Sequence, residues 1–185
     1  MIGERLLKLF NSAFGRLTGT SASPQNSYFH VSTIDHPIGA VLEQGSWGRT
    51  TRAFGSSRPL AEVNDAKTLA WEATLEAARR AFGSSAPSRL DCIFAAASAE
   101  DAITFRDRFR PGAHIFEIQP NKTAPIYVAD YDLITGPGGA FIDTWVTRSV
   151  TYWTSPPRGM AEVLIGGSVT ILRRMEHLKG AKDGP

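Results

Sequence analysis

The feature that most constrains the fold is one long helical segment set among many short strand-like segments. Residues 64–82, NDAKTLAWEATLEAARRAF, are rich in Ala, Leu and Glu, which are strong helix formers. Leu69, Ala73 and Glu76 recur at helical intervals, and Gly83 supplies a stop signal. The pattern predicts a helix over this segment, against which the rest of the chain must pack.

Strand-like segments lie on both sides of this helix. Their β-branched and aromatic content predicts one strand in each of four segments: YFHVSTI (28–34), SRLDCIFAAAS (88–98), AHIFEIQP (113–120) and APIYVADYDLI (124–134). The segment FIDTWVTRSVTYW (141–153) is predicted to be mainly strand but is also compatible with some helix. The segment AEVLIGGSVTILRRM (161–175) is predicted to contain two strands separated by the glycine pair. A second helix is predicted to start near Ser98, because Ser98 and Asp101 have the spacing of a capping box. Strands and helices do not repeat as strand–helix–strand units, so the predicted fold class is α+β.

The chain is predicted to hold one folded domain between two polar ends. Residues 1–27 combine an amphipathic helix with a linker of small polar residues. That helix either docks on the domain or contacts a membrane surface, a secretion system or a partner. The α+β domain is expected over 28–176, followed by a flexible tail over 177–185. Within the domain, residues 39–62 contain four glycines and a proline and are predicted to be irregular.

Composition excludes several classes of protein. The 20 basic and 18 acidic residues give a net charge of +2, so bulk electrostatics does not call for a nucleic-acid or acidic-membrane partner, although it permits a nucleic-acid target. Cys92 is the only cysteine, which excludes an internal disulfide and a cysteine-based metal cluster, and the four histidines lack metal-ligand spacing. No apolar run reaches the roughly 20 residues of a membrane span. The sequence predicts a soluble protein without a metal, either cytoplasmic or delivered as a secreted effector.

A few separated polar residues remain as candidates for chemistry. The chain contains no phosphate-binding loop, no glycine fingerprint after a strand and no nucleophile elbow. The candidates are His30, Arg89, Ser98 and Glu162. Each also has a structural interpretation: a hydrogen-bonded strand histidine, a surface turn residue, a helix cap and a solvated strand end, respectively. The residues alone leave these alternatives open.

Four segments, taken in order, carry a resemblance to a known family. They are YFHVS, DCIFAAASAEDA, HIFEIQP and GMAEVLIGGSVTI, and together they span about residues 28–174. Their order resembles the His-Tyr-Glu group of the ADP-ribosyltransferase fold, which includes poly(ADP-ribose) polymerase catalytic domains, rifampin ADP-ribosyltransferases and DarT-like toxins. The resemblance implies a split β-sheet core with flanking helices. It also implies an enzyme that moves ADP-ribose from NAD to a protein, nucleic acid or small molecule and releases nicotinamide, as a bacterial toxin or effector does.

The resemblance further implies roles for individual residues. Glu162 stands where the family's catalytic glutamate stabilises positive charge on the ribose, and His30 where a histidine holds the ribose hydroxyls. Val31 is expected to offer its backbone to the nicotinamide amide. Ser32 and Ser98 complete this part of the expected NAD site.

Stacking and phosphate contacts have more than one candidate. Phe94 falls close to the position of the family's stacking tyrosine, with Trp47 or Tyr131 as replacements. Arg89 is expected to contact the diphosphate of NAD. The arginines in residues 46–58 form a second place for phosphate contacts.

Two other functions stay open beside the transferase. One is an RNA 2′-phosphotransferase on the same fold, and the other is a non-catalytic domain that keeps the scaffold and binds a protein. Met160 stands two residues before Glu162, where transferases directed at arginine carry a carboxylate. Modification of arginine is therefore disfavoured.

Overall fold

A computed structural model describes residues 27–135 and 142–175 of the chain. The predicted amphipathic helix, within 1–26, and the predicted tail over 177–185 lie outside these described residues. The strands are β1 (Tyr28–Ser32), β2 (Val41–Leu42), β3 (Ile93–Ala95), β4 (His114–Pro120), β5 (Ile126–Asp130), β6 (Ala161–Ile165) and β7 (Val169–Arg174). The helices are α1 (Ser46–Ala53), α2 (Val63–Phe82), α3 (Ala99–Phe109) and α4 (Ile142–Thr154), with 3₁₀ turns η1 (Arg89–Asp91) and η2 (Tyr131–Leu133). The fold class is α+β, as predicted.

The described strands pair antiparallel in two sheets. One sheet has the order β1–β4–β7–β2, and the other has the order β3–β6–β5. In the second sheet, Phe94 lies opposite Leu164, and Ala129 lies opposite Glu162. Strand β6, which carries Glu162, is therefore flanked by a strand on each side, and this holds its backbone firmly in place.

The two sheets meet edge to edge at one short bridge between β1 and β3. The N–H of Phe29 donates to the carbonyl of Ala96 at 3.0 Å, and the N–H of Ala96 donates back to the carbonyl of Phe29 at 2.8 Å. No further backbone hydrogen bond joins β1 to β3 in the described part of the chain. The two strands therefore separate beyond this bridge.

Apolar side chains from the second sheet pack against α2 and α4. Leu75 on α2, Tyr152 on α4 and Leu164 on β6 are fully buried members of one cluster. The indole N–H of Trp153 donates to the backbone carbonyl of Leu75 at 2.8 Å and so joins the two helices directly. This cluster therefore packs β6 against α2 and α4.

Helix α4 forms where the sequence predicts mainly strand, over residues 141–153. The segment is rich in Thr, Val, Tyr and Trp, which favour strands when only composition is counted. At helical spacing, Ser149, Tyr152 and Trp153 are the buried residues of the segment, and the two aromatics pack in the cluster shared with α2. Burial against α2 outweighs local propensity, so the strand prediction is wrong here and the compatible helix is the structure that forms.

Helix α1 and strand β2 lie within residues 39–62, which the sequence predicts to be irregular. The α1 sequence, SWGRTTRA, is a poor helix former by intrinsic propensity. Tertiary contacts stabilise it: the Trp47 indole donates to Glu72 at 3.0 Å, and Arg52 makes two 2.8 Å bonds to Asp91. The irregular prediction is therefore wrong for this stretch, because the stabilising contacts come from distant parts of the chain.

Both helices predicted from periodicity and capping are confirmed. Helix α2 begins with a capping box between Glu62 and Asp65. Helix α3 begins after Ser98, whose hydroxyl oxygen accepts the N–H of Asp101 at 3.1 Å. Within the described ranges, no helix has the length and apolar character needed to cross a membrane.

Replacing Gly48 with alanine tests the contact that seats α1 on η1. A β-carbon at Gly48 would lie 1.8 Å from the backbone carbonyl oxygen of Leu90, so α1 would have to move away. We expect Gly48→Ala to lower the free energy of unfolding by about 1–3 kcal/mol in urea denaturation, as overpacking does. Thr50→Ala on the same helix, where the hydroxyl donates to the Ser46 carbonyl, should change it by less than about 0.5 kcal/mol. Equal stability of Gly48→Ala and wild type would contradict the close approach.

Candidate functional site

A cavity of about 240 Å³ lies beside the junction of the two sheets. Five of the predicted site residues line it together: His30, Val31, Arg89, Phe94 and Glu162. The other described residues of its wall are Phe29, Trp47, Ala95, Ala96, Asp101, Phe105, Arg110, Tyr131, Met160 and Ala161. In the described ranges, no three His, Cys, Asp or Glu side chains gather into a group that could hold a metal ion. The cavity is the candidate functional site, because it brings these predicted residues together.

The buried guanidinium of Arg89 holds Glu162 at the cavity wall. Arg89 Nη1 and Glu162 Oε1 form an ion pair, and each residue is only 7% exposed. The Tyr152 hydroxyl donates to the same Oε1 at 2.8 Å and accepts from Arg89 Nη1 at 2.9 Å. Two donors thus hold Oε1, whereas no described residue donates a hydrogen bond to Oε2. This second oxygen is available to a molecule in the cavity.

Glu72, on α2, accepts a second set of hydrogen bonds from Arg89. The distances are 3.2 Å from Nε to Oε2 and 3.1 Å from Nη2 to Oε1. The same Oε1 accepts the indole N–H of Trp47, which is part of the cavity wall. Two buried carboxylates therefore share one arginine, and the group carries a net negative charge when both are ionised.

Burial raises the pKa of Glu162 above that of an ordinary carboxyl group, although the Arg89 charge and the Tyr152 hydroxyl oppose the shift. Arg89 does not cancel the desolvation because its charge is shared with Glu72. A carboxyl whose pKa is raised by folding stabilises the fold below its unfolded pKa, and this contribution is lost as the pH rises through the folded pKa. Ionisation of Glu162 in the folded protein therefore lowers the free energy of unfolding.

One nitrogen of the His30 imidazole remains free to accept a hydrogen bond. Nδ1 lies 2.8 Å from the backbone carbonyl oxygen of Phe94. A carbonyl can only accept, so Nδ1 carries the proton in the neutral ring. Burial lowers the pKa of His30, and the bond to Phe94 offsets only part of this, so the ring is neutral at pH 7. Nε2 then holds a lone pair, to which no described residue donates.

The bond from His30 to Phe94 replaces a backbone bond that the separating strands no longer make. Backbone groups two residues apart on a strand point to the same edge, so Val31 faces the β3 edge as Phe29 does. An antiparallel ladder continued past the Phe29–Ala96 bridge would pair Val31 with Phe94. The His30 ring takes the Phe94 carbonyl instead, and the Val31 N–H and carbonyl have no backbone partner on that edge among the described residues.

Trp47 and Tyr131, the alternative stacking residues, also line the cavity, whereas Ser32, Ser98 and the arginines of residues 46–58 do not. The Ser32 hydroxyl lies 3.1 Å from the imidazole of His36, and Ser98 caps α3. The arginines of residues 46–58 also have partners within the protein. These are the Gln44 carbonyl for Arg49, Asp91 for Arg52 and the Phe54 ring for Arg58.

Sequence reasoning missed Glu72, Tyr152 and Arg110. Glu72 carries a signal, because it lies three residues before Leu75 and six before Ala78 on the buried face of α2. An acid in register with an apolar face is unusual and indicates a buried partner. Tyr152 carries no such signal while its segment is treated as a strand, and Arg110 belongs to a motif, RFRP, that is typical of solvated charge.

A family model matches most of the chain. The family is described as "Protein of unknown function (DUF2441)", and the match covers residues 50–177. The matched region contains Arg89, Phe94 and Glu162, whereas His30 precedes it. No curated protein matches the chain.

Removing the charge of Arg89 tests how much the shared ion pair contributes to the fold. Arg89→Met leaves Glu72 and Glu162 buried without a cation, and breaking a buried pair in this way costs about 3–5 kcal/mol. We expect that loss in urea denaturation at neutral pH and a smaller loss at acid pH, where the carboxyl groups are protonated. Arg52→Met breaks an exposed pair with Asp91 and should cost less than about 1 kcal/mol. Similar losses in the two variants would argue against the network.

Proposed function

We propose that this chain, which belongs to the DUF2441 family of proteins of unknown function, is an NAD-dependent ADP-ribosyltransferase. One observation carries the proposal: His30, Phe94 and Glu162 line a single cavity. There, His30 Nε2 and Glu162 Oε2 are acceptors without a partner among the described residues. The two acceptors can take hydrogen bonds from the hydroxyl groups of a ribose. The aromatic ring beside them can contact the flat nicotinamide ring that the ribose carries.

The reaction breaks the bond between C1′ of the ribose and the nicotinamide nitrogen. The bonding electron pair leaves with nicotinamide, and positive charge develops on the ribose. The Glu162 carboxylate stabilises this charge and accepts the 2′-hydroxyl through Oε2. The nucleophile of the acceptor then forms a bond to C1′, and its proton is released to solvent. Because Arg89 and Tyr152 hold Oε1, the carboxylate is oriented before the substrate binds.

His30 and Val31 bind the nicotinamide riboside half of NAD. The neutral His30 ring accepts a ribose hydroxyl at Nε2. The nicotinamide carboxamide has one acceptor oxygen and an amino donor, which match the N–H and carbonyl of Val31 at the open strand edge. Phe94, with Trp47 and Tyr131 on the same cavity wall, supplies aromatic surface for the pyridinium ring.

The architecture also supports the proposal. Strands β1, β3 and β6, which carry the resemblance, follow one another across the junction of the two sheets. Strand β3 stands between the strands that carry His30 and Glu162, and both residues line the same cavity. The separation of β1 from β3 makes room for the cavity at the place where a split sheet would hold NAD.

Release of nicotinamide from NAD is the direct test. The wild-type protein should release it, and Glu162→Gln should slow release at least about a hundredfold, because a neutral amide cannot stabilise the developing positive charge. Glu76→Gln is a matched control, since it removes a carboxylate that is ion-paired with Arg79 and Arg80 on α2, outside the cavity. That variant should keep the wild-type rate.

Other outcomes of this test would favour the other two functions. A folded wild-type protein that does not bind NAD in calorimetry would contradict the proposal and favour a non-catalytic interaction domain. NAD-dependent removal of phosphate from a 2′-phosphorylated RNA would instead identify an RNA 2′-phosphotransferase. Met160, on the cavity wall, offers no carboxylate to an arginine acceptor, so acceptors of other chemistry should be tested first.

The rate should fall at acid pH, because Glu162 and His30 both act in their deprotonated forms. The pKa of Glu162 is raised by burial, so its ionised fraction begins to fall at a higher pH than that of an ordinary carboxylate. Burial lowers the pKa of His30, so its ring becomes protonated at a lower pH than an ordinary imidazole. A profile of kcat/KM against pH should show an acid limb with its midpoint above 4.5. His30→Asn should lower the rate across the profile, and a flat profile of the wild-type protein would contradict both roles.

A further inference from the structure

Arg89, which the sequence predicts to contact the diphosphate, has almost no unused hydrogen-bond donor for a ligand. Four of the five N–H groups of a guanidinium are engaged here with Glu72, Glu162 and Tyr152. The two carboxylates already neutralise its charge. A diphosphate next to Arg89 would also meet repulsion from both of them. The phosphate groups of a dinucleotide therefore need another cation.

Arg110 is the other arginine among the described residues of the cavity wall. It follows the last turn of α3, where its backbone N–H donates to the carbonyl of Arg106 at 2.8 Å. The residue is exposed, and its guanidinium forms no ion pair with a described acid. The neighbouring Arg108 differs, since it lies 3.7 Å from Asp132 and its guanidinium covers the ring of Phe109. Arg110 thus has a charge that is open to a ligand.

The charged residues of the cavity wall differ in burial. Glu162 is buried and Asp101, in the first turn of α3, is partly buried, whereas Arg110 is exposed. Arg110 follows the last turn of the same helix, and the helical rise places it roughly 13 Å from Asp101 along the axis. NAD has a positive pyridinium ring on one side of its nicotinamide ribose and a negative diphosphate on the other. A buried carboxylate and an exposed guanidinium in one cavity wall suit that order of charges.

We infer that Arg110 binds the diphosphate of the dinucleotide at the cavity mouth, an inference that rests on the proposed function because it takes NAD as the ligand. A guanidinium can donate two parallel N–H bonds to phosphate oxygens, which makes the contact strong and directional. Phe105 and Tyr131, whose ring centroids are 5.3 Å apart, line the same wall and provide apolar surface beside the phosphate contact. The protein should therefore distinguish NAD from nicotinamide riboside, which has the same ring and sugar but no phosphate.

Calorimetric titration of the full chain with three probes, without an acceptor, tests the inference. The probes are NAD, ADP-ribose and nicotinamide riboside. Arg110→Gln should weaken NAD and ADP-ribose binding roughly ten- to a hundredfold, the effect of losing charge-assisted hydrogen bonds, and leave riboside binding unchanged. Arg108→Gln is the matched control on the same helix and should leave all three affinities unchanged. Circular dichroism should show both variants folded.

Three results would overturn the assignment. They are unchanged NAD binding in Arg110→Gln, an equal loss for nicotinamide riboside, and an equal loss in Arg108→Gln.

An assay of nicotinamide release distinguishes failure of this inference from failure of the proposed function. A wild-type enzyme that cleaves NAD, with a variant Arg110→Gln that binds NAD equally well, would overturn the role of Arg110 alone. A wild-type protein that binds ADP-ribose through Arg110 but never releases nicotinamide would support the diphosphate site and overturn the transferase.

Discussion

The charge of Arg89, shared between two buried carboxylates, is the interaction on which the rest of the site depends. It connects η1 to α2 through Glu72 and to β6 through Glu162, and the Tyr152 hydroxyl adds α4 to the same group. Trp47 of α1 joins through its bond to Glu72. Because an unpaired buried charge is costly, all these elements are held in one relative arrangement. One cavity wall is therefore built from parts of the chain that are distant in sequence.

The short bridge between β1 and β3 is the second constraint. Beyond the Phe29–Ala96 pair, the strands separate, and the His30 side chain takes the Phe94 carbonyl that a backbone N–H would otherwise take. That bond sets the tautomer of the ring and leaves Nε2 as an acceptor. It also leaves the backbone of Val31 open. The two interpretations of His30, structural and functional, are thus compatible, because its structural bond produces the free acceptor.

Local patterns predict the elements that local physics stabilises. Helix α2 has strong formers along its length, α3 has the Ser98 cap, and β4, β6 and β7 have β-branched and aromatic residues. Helix α1 is not predictable in this way, because Trp47 and Arg52 stabilise it through distant partners. Helix α4 is not predictable either, because Tyr152 and Trp153 favour strands by local propensity. They adopt a helix because they pack against the buried residues of α2.

The sequence by itself determined the α+β class, the strands that carry His30, Phe94 and Glu162, and the long helix α2, because each depends on neighbouring residues and their spacing. Only the tertiary structure decided that these three residues line one cavity. It also decided that Arg89 faces two carboxylates and that Arg110, among the described residues of the cavity wall, has a guanidinium open to a ligand. Ion-pair partners and burial depend on how elements far apart in the chain pack together, and no local pattern contains that information.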